Sequence, residues 1–271
     1  MAGFNLDTIA AQLRAAQDTA STVPPPTHPH PGCARAGGSE VAPRVHEQRL
    51  QAGDRPVGRK IGYTNVSLWA QLDVQQSMWG HVYERTLVRL PGGRGSFSLA
   101  GVVQPRIEPE IVFGLSAEPP PDADAQDALA CVEWVAAGFE IGQSHFADQP
   151  TRAPDAVANN GMHAALLMGG PVPISEFEAP LEQFAHFTLD LHCDGRRIDS
   201  GHGGNVLGSP LRALAPLAHV LAAQQQQPSL RAGEIVTTGT VTGAFPIAPG
   251  QRWESHLHGI ALRGLSVNFT S

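Results

Sequence analysis

The sequence predicts an α+β chain whose strands form one mixed, rolled-up sheet, a β-roll or distorted barrel. Three observations predict it. Gly 29 and Pro 23 make up about a fifth of the 271 residues, which suits a loop-rich β fold better than a helix bundle. Short extended segments outnumber the helical ones. Strands and helices do not alternate regularly, which disfavours both a doubly wound sheet and a (β/α)8 barrel.

The elements follow in order. Apolar Leu6, Ile9, Ala10 and Leu13 recur at helical spacing over 4–18, with Asn5 or Asp7 near the start. Residues 19–43 carry six prolines and several glycines, and read as a surface crossing of polyproline character, in which His28 and His30 are solvated. A polar helix over 42–53 leads into a strand at Val57–Thr64. Further extended segments lie at 79–90, 95–103, 106–115, 138–146, 186–193, 234–240 and 259–269. Helices are expected at 122–137 and 209–227, the second with Ser209 as cap and Pro210 in its first turn. Asp194-Gly195 is a two-residue hairpin signal.

Composition narrows the function classes. With 18 basic against 25 acidic side chains and a net charge of −7, the chain offers no electrostatic footprint for nucleic acid. No membrane span and no signal-peptide h-region are read from it, so a cytoplasmic location is expected. Cys33, Cys131 and Cys193 are too few and too scattered for a disulfide framework. One count stands apart: Lys60 is the only lysine beside 17 arginines. Arginine serves wherever a solvated positive charge is enough, but it cannot replace a compact ammonium that transfers a proton.

The segment Arg106–Leu115 is the most informative. On a strand, Glu108 and Glu110 point to one face about 6.5–7 Å apart, within a run made apolar by Ile107, Ile111 and Phe113. Enclosed like charges need a cation or become protonated. Glu140 lies in a second apolar stretch, again where a solvated carboxylate does not belong. Three carboxylates with no Cys–His pattern favour Mg²⁺ or Mn²⁺ over Zn²⁺. Other patterns point to less. His256-x-His258 lacks a third ligand nearby, Gly201–Gly208 lacks the phosphate-loop lysine, and Ser144 beside His145 cannot form a triad. The hydroxyls of Gly233–Thr240 either face a ligand oxygen or simply end a strand.

Five segments occur in order: Gly58-Arg-Lys-Ile-Gly-Tyr-Thr64, Arg106-Ile-Glu-Pro-Glu110, Phe139-Glu-Ile-Gly-Gln-Ser144, Asp155-Ala-Val-Ala-Asn-Asn160 and Gly233-Glu-Ile-Val-Thr-Thr-Gly-Thr240. Together they resemble the 2-keto-4-pentenoate hydratase and 4-oxalocrotonate decarboxylase family of the fumarylacetoacetate hydrolase superfamily. The resemblance runs from about residue 45 to the C-terminus. It implies a smaller N-terminal α+β part (1–88, with the Pro/Gly-rich segment at 22–43) and a catalytic β-roll over 89–271. It also implies Mg²⁺ or Mn²⁺ on Glu108, Glu110 and Glu140, an active-site Lys60, and substrate contacts from Gln104, Ser144, His145, Asn159 and Thr240.

Two stretches depart from the family pattern. Gln76-Ser-Met-Trp-Gly80 places Met78 where many members carry an acid, and Ala158-Asn-Asn-Gly-Met162 places Asn159 and Met162 where Asp and Ser are usual.

The expected activity is that of a metal-dependent hydratase on a small 2-hydroxy-dienoic or 2-oxo-enoic acid such as 2-keto-4-pentenoate. The ion would stabilise negative charge on the 2-oxygen as an enolate forms. Alternatives are a 4-oxalocrotonate-type decarboxylase, an acylpyruvate- or fumarylacetoacetate-type hydrolase, and a non-catalytic organic-acid binder. A dicarboxylate would need a distal cation, for which Arg106, His145 and Arg152 are candidates. Family habit and the four tryptophans Trp69, Trp79, Trp134 and Trp253 suggest a homo-oligomer.

Overall fold

A computed structural model describes residues 5–28, 33–146, 151–224 and 227–271. Helix α1 (Leu6–Thr19) starts where expected, because the Asn5 side chain accepts the free N–H groups of Asp7 and Thr8. Helix α2 (Cys33–Gln51) begins about nine residues earlier than the sequence suggests and holds Pro43 inside it. Packing overrides composition here. Gly38 lets α2 approach a later helix so closely that a Cβ would stand 2.2 Å from the Pro154 oxygen, and Val41 and Val45 are buried beyond it. His30 lies outside the described residues.

Strand β1 (Pro56–Gly62) is followed by helix α3 (Trp69–Leu72), then β2 (Met78–Tyr83), β3 (Leu87–Leu90), β4 (Arg94–Ser98) and β5 (Arg106–Leu115). The expected helix at 122–137 shrinks to α4 (Ala125–Ala130), and β6 takes Val132–Gly142. Residues 132–137 pair with β5 and belong to a sheet covered on both faces. The apolar pattern of such a strand is continuous and does not reveal its period. Next come α5 (Ala153–Ala158), β7 (His163–Gly169), β8 (Val172–Pro173), α6 (Pro180–His186), β9 (Thr188–Cys193) and β10 (Arg196–His202). Asp194 and Gly195 turn the last hairpin with φ of 50° and 80°, as their types require.

A 3-10 turn at Pro210–Ala213 leads into α7 (Leu214–Ala223); Ser209 precedes it without a capping hydrogen bond. By length and composition alone, Gly203–Ala223 is apolar enough to cross a membrane, which the sequence reading had not found. Half of that window is buried in the protein, where Leu211, Leu214, Leu217 and Leu221 join the core. Strands β11 (Ile235–Thr237), β12 (Phe245–Pro246), β13 (Arg252–His258) and β14 (Ser266–Thr270) complete the chain.

Two sheets result. A nine-stranded, half-barrel sheet runs β2-β1-β11-β5-β6-β7-β3, with β12 on β5 and β8 on β6; a five-stranded sheet runs β10-β9-β13-β14-β4. The main core joins them, with Ile107, Phe113 and Phe139 from the larger sheet meeting Leu189, Trp253 and Phe269 from the smaller. On the larger sheet's other face, Val112, Ala136 and Leu166 form a second layer. Strands from both sides of residue 88 therefore share one sheet. A small cluster of Ile9, Leu13, Val41, Val45 and Phe146 forms around α1 and α2. Trp253 is buried and the other three tryptophans are half-buried.

Candidate metal centre and active site

The site grows from the middle of the larger sheet. Glu108 on β5 stands opposite Glu140 on β6, and Glu110 follows two residues on, on the same face. Strand β1 comes close because Gly58 has no side chain: a Cβ there would stand 2.0 Å from the Ile235 oxygen. It delivers a buried Lys60, whose Nζ lies 3.2 Å from Glu140 Oε1 and donates to the Gly161 carbonyl at 2.9 Å.

Each buried carboxylate has its own support. Glu110 accepts from the Thr237 hydroxyl and from the Gly239 N–H at 2.8 Å. Glu140 Oε1 lies 3.0 Å from His163 Nδ1, and the other ring nitrogen of His163 meets the Thr86 hydroxyl at 3.0 Å. His163 was not singled out in the sequence, and no spacing there marks it. Thr237 sits in the Thr-rich segment already noted for its hydroxyls.

The electrostatics follow from burial and crowding. Burial, reinforced by Glu140, pushes Glu108 up to about 7, with Lys60 opposing. Burial and both neighbouring carboxylates push Glu110 well above the usual range. Burial works to raise Glu140 too, but Lys60 and the His163 hydrogen bond outweigh it and hold its carboxyl below the ordinary value. Lys60 is the converse. Burial works to lower it, yet the three glutamates outweigh that and hold it above an ordinary lysine.

The donors fit a hard divalent cation. Ligand oxygens of Glu108, Glu110 and Glu140 lie within 4.8 Å of one another, the only group of three or more such side chains among the described residues. Glu110 Oε1 and Glu140 Oε2 are buried without a hydrogen-bond partner, as oxygens reserved for an ion would be.

A cavity of about 670 Å³ opens onto this cluster. Lys60, Glu108, Gln104, Ser144 and Thr240 line it, as do Tyr63, Arg106 and Thr242, which add to its polar wall. Met78, Met162, Phe146, Leu68 and Leu72 supply an apolar side. Two expected substrate contacts are not on its wall. His145 and Asn159 are buried and meet each other, with Asn159 Nδ2 3.1 Å from His145 Nδ1, while Asn159 Oδ1 accepts from Gln17 at 2.7 Å. Ser144 and His145 are neighbours in sequence, but only the serine lines the cavity. Of the three candidate distal cations, Arg106 lines the cavity, and His145 and Arg152 do not. His256 and His258 are exposed on β13, where His256 meets His192 edge to face and His258 approaches Asp190.

A curled sheet that clusters three carboxylates beside a buried lysine, with Glu108 and Lys60 on the wall of one cavity, defines a divalent-cation site of the oxygen-ligand type. Residues 70–264 match the fumarylacetoacetate (FAA) hydrolase C-terminal family, and the chain belongs to it. It is 32% identical over 212 residues, 78% of each chain, to a 4-oxalocrotonate decarboxylase from a Pseudomonas species. It is 29% identical over 267 residues to the 2-hydroxyhexa-2,4-dienoate hydratase of Comamonas testosteroni, spanning 98% of this chain and 97% of that one. Among solved structures, 4-oxalocrotonate decarboxylase from Pseudomonas putida G7, complexed with magnesium and adipate, shares the fold, with a TM-score of 0.87 at 23% identity over 97% of both chains.

Proposed function

We propose that this protein is a hydro-lyase that uses Mg²⁺, or Mn²⁺ in its place, to add water to a small 2-hydroxy-dienoic or 2-oxo-enoic acid such as 2-keto-4-pentenoate. The carrying observation is the clustering of Glu108, Glu110 and Glu140 beside the buried Lys60, with Glu108 and Lys60 on the wall of one cavity. Relatives named as a dienoate hydratase and an oxalocrotonate decarboxylase support the substrate class. When bound by the three glutamates, the ion supplies Lewis-acid charge against the negative charge that develops on the substrate's 2-oxygen.

The protein's own groups do the rest. Thr237, Gly239 and His163 hold the ligand carboxylates in place before anything binds, so little reorganisation is left to the reaction. Lys60, kept charged by the glutamates, orients the substrate carboxylate. Gln104, Ser144 and Thr240 offer hydrogen bonds along the wall, and Met78, Met162 and Phe146 add apolar lining. We place this activity in the cytoplasm, in a homo-oligomer.

A second reading, decarboxylation of a dicarboxylic 2-oxo acid, is favoured by Arg106. It lies two residues before Glu108 on β5 and lines the same cavity, where it can receive a distal carboxylate. One assay separates these readings. Purified protein with Mg²⁺ is given 2-hydroxypenta-2,4-dienoate and, separately, a 2-oxo-hexenedioate, with loss of diene absorbance and CO₂ release both followed. Hydration of the first supports the main reading. CO₂ from the second, with the first untouched, replaces it with decarboxylation. No turnover of either, with Mg²⁺ still bound, leaves an organic-acid-binding relative.

A further inference from the structure

Lys60 has two fixed hydrogen-bond acceptors, and only one of them belongs to the metal centre. Its ammonium carries three N–H donors. Glu140 and the Gly161 carbonyl take two, and Lys60 also lines the cavity, so the third is left for whatever binds there. The direction of that third bond depends on what holds the Gly161 carbonyl.

The carbonyl belongs to an unusual turn. Asn160, Gly161 and Met162 are consecutive and all in left-handed backbone, with φ of 54°, 64° and 64°. Such a run is unfavourable for residues other than glycine and persists only where its surroundings hold it. Backbone bonds from the Met162 N–H to the Asn159 carbonyl and from the Gln143 N–H to the Met162 carbonyl help to hold it, and Asn160 ties it to β2. Its Oδ1 accepts the His81 N–H at 2.8 Å, and its Nδ2 donates to the His81 carbonyl at 3.0 Å. Strand β2 is the last of its sheet, so this side-chain amide takes the place that the peptide group of a further strand would occupy.

The fit is close. Gly80 is the β2 residue paired with Lys60, and a Cβ on it would stand 2.4 Å from the Asn160 oxygen. A Cβ on Gly161 would stand 2.9 Å from Lys60 Cδ. An amide is needed because it offers a donor and an acceptor side by side; a carboxylate lacks the donor. Asparagine also tolerates left-handed backbone better than most residues.

We propose that Asn160 is a positioning residue for Lys60: by pairing with the free edge of β2 it fixes the Gly161 carbonyl, and this aims the ammonium between Glu140 and the cavity. The proposal rests on Lys60 being the group that meets substrate, as argued above.

The single lysine makes a direct test possible. Protein grown with lysine labelled with ¹⁵N at Nζ has one side-chain ammonium resonance, assigned by its loss in Lys60→Arg. Asn160→Gly removes the clamp without adding backbone strain. In that variant we expect the resonance to shift or broaden and kcat to fall at least tenfold, with KM and the Mg²⁺-induced rise in Tm retained within twofold. Asn160→Asp, which keeps the acceptor and loses the donor, should fall between it and the wild type.

A wild-type Lys60 resonance in folded Asn160→Gly would overturn the proposal, whatever happens to kcat. Should that variant not fold, Gly80→Ala displaces the same turn from the β2 side and must move the same resonance; an unchanged signal there is equally decisive. Lack of turnover by the wild type would count against the proposed function alone, because the resonance is read without substrate.

Discussion

Glu108 and Glu140 face each other directly across the β5–β6 ladder, and the carboxylate of Glu140 lies 3.2 Å from the Lys60 ammonium. Like charges in such cross-strand positions weaken pairing. Glu110 adds a third carboxylate to the same face, so one ammonium leaves the cluster short of positive charge. Burial, with the neighbouring carboxylates adding to it, makes Glu108 and Glu110 hold protons more tightly than an ordinary glutamate, so protons and a divalent ion compete for the same oxygens.

The first prediction concerns that ion. A ligand that binds only the folded state stabilises it by about 2.7 kcal/mol at a hundredfold excess over Kd. Mg²⁺ should therefore raise Tm by several degrees, on the order of 5–10 °C for a chain of this size. Glu110→Ala should abolish this rise and the turnover together, as read by scanning calorimetry with and without EDTA. An undiminished Mg²⁺ response in Glu110→Ala would remove these carboxylates from metal binding.

Lys60 can be tested by two substitutions. Lys60→Arg keeps a charge but changes its size, its donor geometry and its capacity to give up a proton. Steady-state assays should show kcat reduced by about 10²–10⁴ with the fold intact. Lys60→Met also leaves Glu140 buried without its ammonium, at a cost of about 3–5 kcal/mol in the metal-free protein. A fully active Lys60→Arg would leave the carboxylate centre standing and take the lysine out of the reaction.

Much of this site was legible because its residues break local rules. Charged Glu108, Glu110 and Glu140 interrupt apolar strands, and Lys60 interrupts an all-arginine composition. β5 was placed over its full span. The beginnings of α2 and β6 were not, because both are set by tertiary packing: Gly38 against Pro154 in one case, burial on two faces in the other. His145 and Asn159 misled for a related reason. Position in a motif locates a residue near the cavity but does not say which way its side chain faces; Asn159 is turned toward Gln17 of α1, and His145 toward Asn159. His163 had no local mark at all, since its link to Glu140 exists only across the β6–β7 pairing.

His163 accordingly carries the next prediction. It fixes the Glu140 carboxylate from one ring nitrogen while Thr86 holds the other. Supports of this kind typically contribute 10–100-fold to metal affinity. His163→Leu should weaken Mg²⁺ binding by about that factor in isothermal titration, with all three ligands still present. Wild-type affinity in this variant would mean that the strands alone set the position of Glu140.

The last prediction concerns pH and lies outside the metal centre. His46 on α2 stacks on His81 of β2, with ring centroids 3.6 Å apart and planes 5° from parallel. Burial, with Arg59 and Arg49 adding to it, lowers His46 to about 4, and burial with Arg59 and His46 lowers His81 well below the usual histidine value. Both rings are therefore neutral in the folded protein, while in the unfolded chain they protonate near 6.5. The sign follows directly. Above about pH 6.5 neither state is protonated and the pair's contribution is complete; as pH falls toward 4 the unfolded chain takes up protons that the folded protein refuses, so stability declines. Because His46 is only partly buried, we expect its share of the loss between pH 7 and pH 5 to be about 1–2 kcal/mol. His46→Phe keeps a ring on His81 and removes one of the two titrations. Urea unfolding should then show a smaller drop in stability between pH 7 and pH 5 than in the wild type, even if the variant is less stable at pH 7 for want of the 2.8 Å bond from His46 to the Tyr83 hydroxyl. An equal drop in both proteins would take His46 out of the acid sensitivity.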